Sequence, residues 1–130
     1  MESSEYGIGR VVEEPYEQVV ARVKDALKTE GFGVLTEIDV QATLREKIGV
    51  ERGRYVILGA CSPRHAHRAL EAEPELGLFL PCNLVVYETD EGTRVSAVDA
   101  QAMLGLVGNP ALDEIAADVK TRLTRVVDAL

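Results

Sequence analysis

The sequence has no tryptophan, only two cysteines and only two histidines. Two cysteines, Cys61 and Cys82, are too few for a disulfide-stapled scaffold or a four-cysteine zinc site. No run of 18 apolar residues occurs, which excludes a membrane-spanning helix. Basic residues are also scarce: 14 Lys and Arg stand against 22 Asp and Glu, for a net charge of -8, and no three basic residues are adjacent. A protein that grips a phosphate backbone needs clustered cations to release counterions. The field of an acidic chain repels nucleic acid and anionic lipid, so neither is expected as a partner. The stretch Met1-Glu2-Ser3-Ser4-Glu5 lacks the basic start and apolar core of a secretory signal, and a cytoplasmic protein is expected. Asn and Gln are sparse, a feature of heat-tolerant proteins.

What is present is ordinary globular composition: 130 residues, 46% apolar and 28% charged, the size of one domain spanning 1–130. Residues 6–12 read as a first strand, and Pro15 opens a helix, since proline suits the first helical position. Tyr16, Val19, Val20, Val23, Ala26 and Leu27 form one apolar stripe, stopped at Gly31. Residues 34–38 alternate as a strand, with Glu37 and Glu88 expected to face solvent on their respective strands. Asp39 then caps a short helix closed by Gly49. Residues 55–61 are apolar on both faces and read as a central strand, after which Ser62 and Pro63 start a helix that runs to about Glu73. Leu76 to Leu80 suits either a strand or a packed loop. Residues 83–88 and 93–98 form a hairpin around Asp90-Glu91-Gly92. Asn109 and Pro110 cap a last helix whose apolar stripe, from Leu112 to Leu130, is the strongest periodic signal in the chain.

The hairpin requires at least one antiparallel pair, so the expected fold is α+β, a mainly antiparallel sheet with helices packed on one face. Few helices are left to cover the other face, and a homodimer is the simplest cover.

Several short motifs occur in a telling order: Gly31-Phe32, Ile38-Asp39, Cys61-Ser62-Pro63 with Ala66, Ala69 and Leu70, then Leu80-Pro81-Cys82 and Val85-Val86-Tyr87. In this ordered set the chain resembles the bacterial and archaeal family catalogued as domain of unknown function 302, from about Tyr6 to the end. Ser62 is a departure, since the family more often carries Asn there; both residues cap helices. The resemblance implies a curved antiparallel sheet with helices on one face, similar to the TATA-binding-protein-like fold, and a tendency to pair as dimers. It implies no activity. The fold likeness does not extend to DNA binding, because function belongs to the site and this surface is acidic.

The chemistry-bearing residues are few. Cys61 ends a strand just before a capped helix, where amides and helix dipole favour a thiolate. The ordinary alternative is a buried small hydrophobe. If residues 74–81 return the chain to its starting end, Cys61 and Cys82 share one end of the sheet; otherwise they stand roughly 15–20 Å apart. A shared end permits a redox couple or half a metal site, although two reduced thiols are the expectation in the cytoplasm. His65 and His67 are about 200° apart around a helix and cannot serve one metal from one face, so no metal site is expected. His65, four residues past Cys61, could approach its sulfur as in a thiol–imidazole pair; a half-exposed surface histidine is the plainer reading. No third member of a triad is evident. Arg64 and Arg68 could grip an anion, but solvated surface arginines are the simpler view.

Asp39 and Glu88 are the carboxylates considered for ligand binding or acid–base work, and Met103 marks the apolar stretch from Ala102 to Val107, which must be covered by something. Such a stretch can line a pocket, seal a dimer or cap the core; the core reading is preferred. Two functions follow from these residues. The first is a non-catalytic homodimeric module that binds a small molecule or a protein. The alternative is a thiol-based redox or metal-linked activity centred on Cys61 with Cys82 and His65. No cofactor is specified by the sequence.

Overall fold

The computed structural model describes residues 3–130; the reading of Met1 and Glu2 as part of a leaderless start lies outside them. Five strands, β1 (Gly7–Val12), β2 (Gly33–Asp39), β3 (Tyr55–Cys61), β4 (Cys82–Thr89) and β5 (Gly92–Val98), form one antiparallel sheet in the order β1-β5-β4-β3-β2. Helices α1 (Tyr16–Thr29), α2 (Val40–Ile48), α3 (Pro63–Ala72), α4 (Ala100–Gly105) and α5 (Asp113–Asp128) connect or follow them.

Strand alternation decides which face is packed. Val56, Leu58 and Ala60 of β3, Cys82, Leu84 and Val86 of β4, and Val95 and Ala97 of β5 are all buried on one face. Against them lie the apolar stripes that helical spacing predicts: Val19, Val23 and Leu27 of α1, and Ile115, Val119, Leu123 and Val126 of α5. Leu84 and Leu123, both fully buried, mark the centre of this layer.

Three local features differ from a plain reading of the pattern. A bulge between Val34 and Thr36 shifts the register of β2, leaving Leu35 exposed and carrying Glu37 and Asp39 to the helix side, opposite Leu58 and Val56. Glu37 is still wet, as alternation suggested, but the cause is its place on an edge strand; it pairs with Lys24 of α1 at 2.9 Å. Pro74–Phe79 is neither strand nor open loop but a 3₁₀ segment that buries Leu76. The stretch from Ala102 to Val107 begins inside α4, capped by Asp99, and buries Leu104 in the core while Leu106 stays exposed.

The sheet's other face lies away from α1 and α5. It carries Ile38, Ile57 and Val85, along with Tyr55 and Tyr87, whose rings stack at 5.1 Å. Gly59 also faces this side: a Cβ there would strike the Thr36 side chain and the ring of Pro81. Among the described residues no helix is long and apolar enough to cross a membrane.

Candidate functional site

Antiparallel pairing of β3 with β4 places Ala60 opposite Cys82. Residues 74–81 therefore do return the chain to its starting end, and the two thiols share one end of the sheet. A cleft opens there, closed over by α3, α4, α5 and the Pro74–Phe79 segment, and lined by Cys61, Ser62, His65, Leu76, Cys82, Met103, Ile115 and Val119 among others. It encloses about 420 Å³, its open mouth included. Its walls are almost wholly apolar.

Its polar part is one chain of side chains. Ser62 precedes α3 but makes no side-chain bond to the helix backbone. Its Oγ lies 2.6 Å from His65 Nδ1, and His65 Nε2 lies 2.5 Å from Asp118 Oδ2 on α5. Arg122, one turn further along α5, donates to the same carboxylate at 3.1 Å and also to the Glu30 carbonyl at 3.1 Å. The hydrogen bond from His65, seconded by Arg122, holds the Asp118 carboxyl below the usual carboxylate range. In the neutral ring with its proton on Nε2, Nε2 donates to the ionised Asp118 and the Nδ1 lone pair accepts from the Ser62 hydroxyl.

This arrangement corrects the expectations for His65. Its side chain is only 13% exposed, and both ring nitrogens are engaged by Ser62 and Asp118, so none is left for the Cys61 sulfur. The third member that sequence spacing did not reveal is Asp118, brought across by the packing of α3 on α5. His67, by contrast, is a surface residue, 77% exposed.

Burial weighs against a thiolate at either cysteine. Burial pushes the Cys61 thiol up. Burial lifts Cys82 further, to about 11, with charge on Cys61 adding to the rise. Loss of hydration thus disfavours the thiolate at both positions. Both are free. Among the described residues no three His, Cys, Asp or Glu side chains gather as a metal site.

The carboxylate candidates lie at the opposite end of the sheet. Asp39 caps α2 by accepting from the Ala42 amide at 2.9 Å. Glu88 accepts from the Arg54 amide at 3.1 Å. Both are exposed. Their charge is felt by Tyr16, whose hydroxyl is raised by burial first and then by Asp39, against an opposing pull from Arg54. Neither carboxylate lines the cleft; of the three ligand candidates only Met103 does.

Comparison with known proteins places this geometry in a lineage. Residues 8–130 match the family described as "Domain of unknown function DUF302". The chain belongs to the DUF302 family. A crystal structure of an uncharacterized conserved DUF302 protein from Bacillus stearothermophilus is 35% identical and superposes with a TM-score of 0.89. That match covers 96% of this chain and 98% of the other. No curated protein matches. The expected membership, the α+β class and the antiparallel sheet with helices on one face are thus borne out, and the DUF302 description supplies no activity.

Proposed function

We propose that this DUF302 protein binds a small molecule with an apolar body and one polar end in the cleft beside Cys61 and Cys82. The observation that carries the reading is the cleft's make-up: apolar walls from Leu76, Met103, Ile115 and Val119, with Ser62 and His65 as the one hydrogen-bonding pair among the lining side chains. Pockets that combine apolar burial with a few placed polar groups are the usual form of a small-ligand site. Butanamide is the probe, since it joins an apolar chain to one polar end and cannot be turned over readily. Isothermal titration should give saturable binding that Met103→Trp abolishes, because the indole fills the cleft. Equal binding by the variant would remove the cleft as the site.

Under this reading the protein works as a single-domain homodimer in the cytoplasm. Two unbridged thiols suit a reducing compartment. The sheet face turned away from α1 and α5, with Ile38, Ile57 and Val85, suits pairing with a second copy. Light scattering should report twice the chain mass of 14.1 kDa, and Ile57→Glu should return the monomer; a monomeric parent would end the dimer reading.

A second reading, thiol chemistry, is favoured by one observation: Cys61 and Cys82 meet at the same cleft. Their raised pKa values weigh against it. Native protein should therefore label slowly with iodoacetamide at pH 7, and rapid alkylation of Cys61 would reverse the preference.

A further inference from the structure

We propose that Ser62 is the nucleophile of an acyl-transfer centre that hydrolyses esters of aliphatic acids, a role that rests on the cleft being a ligand site. A serine at a helix start ordinarily turns its oxygen onto the amides of the first turn. Ser62 does not; its Oγ faces His65 Nδ1 at 2.6 Å. His65 in turn faces Asp118 at 2.5 Å, and Arg122 anchors Asp118. Nucleophile, base and orienting carboxylate thus stand in hydrogen-bonded sequence, which is the arrangement that activates a hydroxyl, recognised by geometry and not by order in the chain. The ring is used in the opposite sense to the familiar serine protease, with Nδ1 toward the serine.

Two further observations agree with acyl transfer. Pro63 has no N–H, the Ala66 amide donates to the Ser62 carbonyl at 2.9 Å, and the Arg64 and His65 amides meet no acceptor among the described residues. Those two amides, at the start of α3, are available to a developing oxyanion. The cleft beside Ser62 is apolar, with Leu76, Ile115 and Val119 in its wall, which suits an aliphatic acyl chain.

In the reaction, Ser62 Oγ bonds to the ester carbonyl carbon while its proton passes to His65 Nδ1, and the carbonyl electron pair moves onto oxygen. Collapse reforms the C=O and breaks the bond to the alkoxy group, which leaves as alcohol with the proton from Nδ1. Water then attacks the acyl-Ser62 ester, gives its proton to His65, and frees the acid as Ser62 regains a proton. No cofactor or oxidant enters. Asp118 and Arg122 are positioning residues that keep Nδ1 available.

The test uses the full chain with p-nitrophenyl butyrate and, separately, diisopropyl fluorophosphate. One phosphoryl adduct per chain, mapped to Ser62, is expected, with ester turnover. Ser62→Asn puts another residue suited to a helix start at this position and should lose both the adduct and at least ~100-fold in kcat, in line with removal of the nucleophile from a general-base pair. Asp118→Asn should lower kcat by ~100-fold with KM little changed, since the imidazole loses the acceptor that orients it. No adduct, an adduct on another residue, or unchanged turnover in Ser62→Asn would overturn the proposal. If butanamide still binds in that case, the cleft reading survives; if it does not, both fall.

Discussion

The two ends of the sheet carry different chemistry on the same strands. At the end where β3 finishes and β4 begins, Cys61 and Cys82 sit among Leu76, Met103 and Ile115, and the one carboxylate nearby, Asp118, is tied to His65 and Arg122. At the opposite end, Glu37, Asp39 and Glu88 cluster near Tyr16 and Arg54, in water. The difference is one of enclosure. Helices α3, α4 and α5 cover His65, whose side chain is only 13% exposed, so both its ring nitrogens take protein partners; at the uncovered acidic end Asp39 and Glu88 are exposed and bond only nearby backbone amides. Enclosure makes Ser62–His65–Asp118 specific, and its absence leaves Asp39 and Glu88 with local structural duties.

If that contrast is right, substitutions at the roofed end should cost more than substitutions of similar size at the open one. The largest effect is expected for Leu76→Ala. Leu76 is 1% exposed, and truncating a buried leucine costs about 2–5 kcal/mol. Ile38→Ala, at a residue 47% exposed, should cost roughly 0.5 kcal/mol or less. Urea unfolding compares the two directly, and equal losses would break the distinction.

Gly59 sharpens it next. Thr36 and Pro81 close over the glycine, so Gly59→Ala overpacks the site and should lose about 1–3 kcal/mol. Adding Thr36→Ala should recover part of that loss, which a double-mutant cycle will measure. At the acidic end, Asp39→Ala removes the bond to the Ala42 amide and should cost about 1 kcal/mol, the ordinary value of a helix cap. Activity and butanamide binding should be untouched there.

The smallest effect is a pH dependence. Asp118 has a depressed pKa in the folded protein, so it contributes stability that is present above its unfolded value of about 4. That contribution is lost as pH falls through the lower folded value. Thermal melts from pH 6 downward should show this acid loss in the parent and a shallower one in Asp118→Asn. Parallel curves would mean that the His65–Asp118 contact contributes nothing in solution.

Much of this fold is written in periodicity. The stripes of α1 and α5, the glycine turn between β4 and β5 and the cap at Asp39 all follow from local rules, and each is present; Asn109 caps the 3₁₀ turn Pro110–Leu112 that leads into α5, not α5 itself. What local rules cannot carry is the crossing of distant segments. The bulge at Leu35 is set by pairing with β3 and has no residue signature. Asp118 reads from sequence as one more acidic residue on a helix, and its ion pair with Arg122 is the ordinary i, i+4 spacing. Only the packing of α3 on α5 turns it toward His65. The sign of the cysteine shifts was equally hidden: a helix terminus was visible in Ser62-Pro63, whereas the burial that raises both thiols was not.

The central claim is that ligand chemistry belongs to the roofed end alone. The direct measurement is a residue-resolved NMR titration with butanamide, following amides and methyl groups at both ends of the sheet. The account predicts saturable shifts at His65, Met103 and Val119 with Asp39 and Glu88 unmoved. Shifts confined to Asp39 and Glu88, or none at either end, would contradict it.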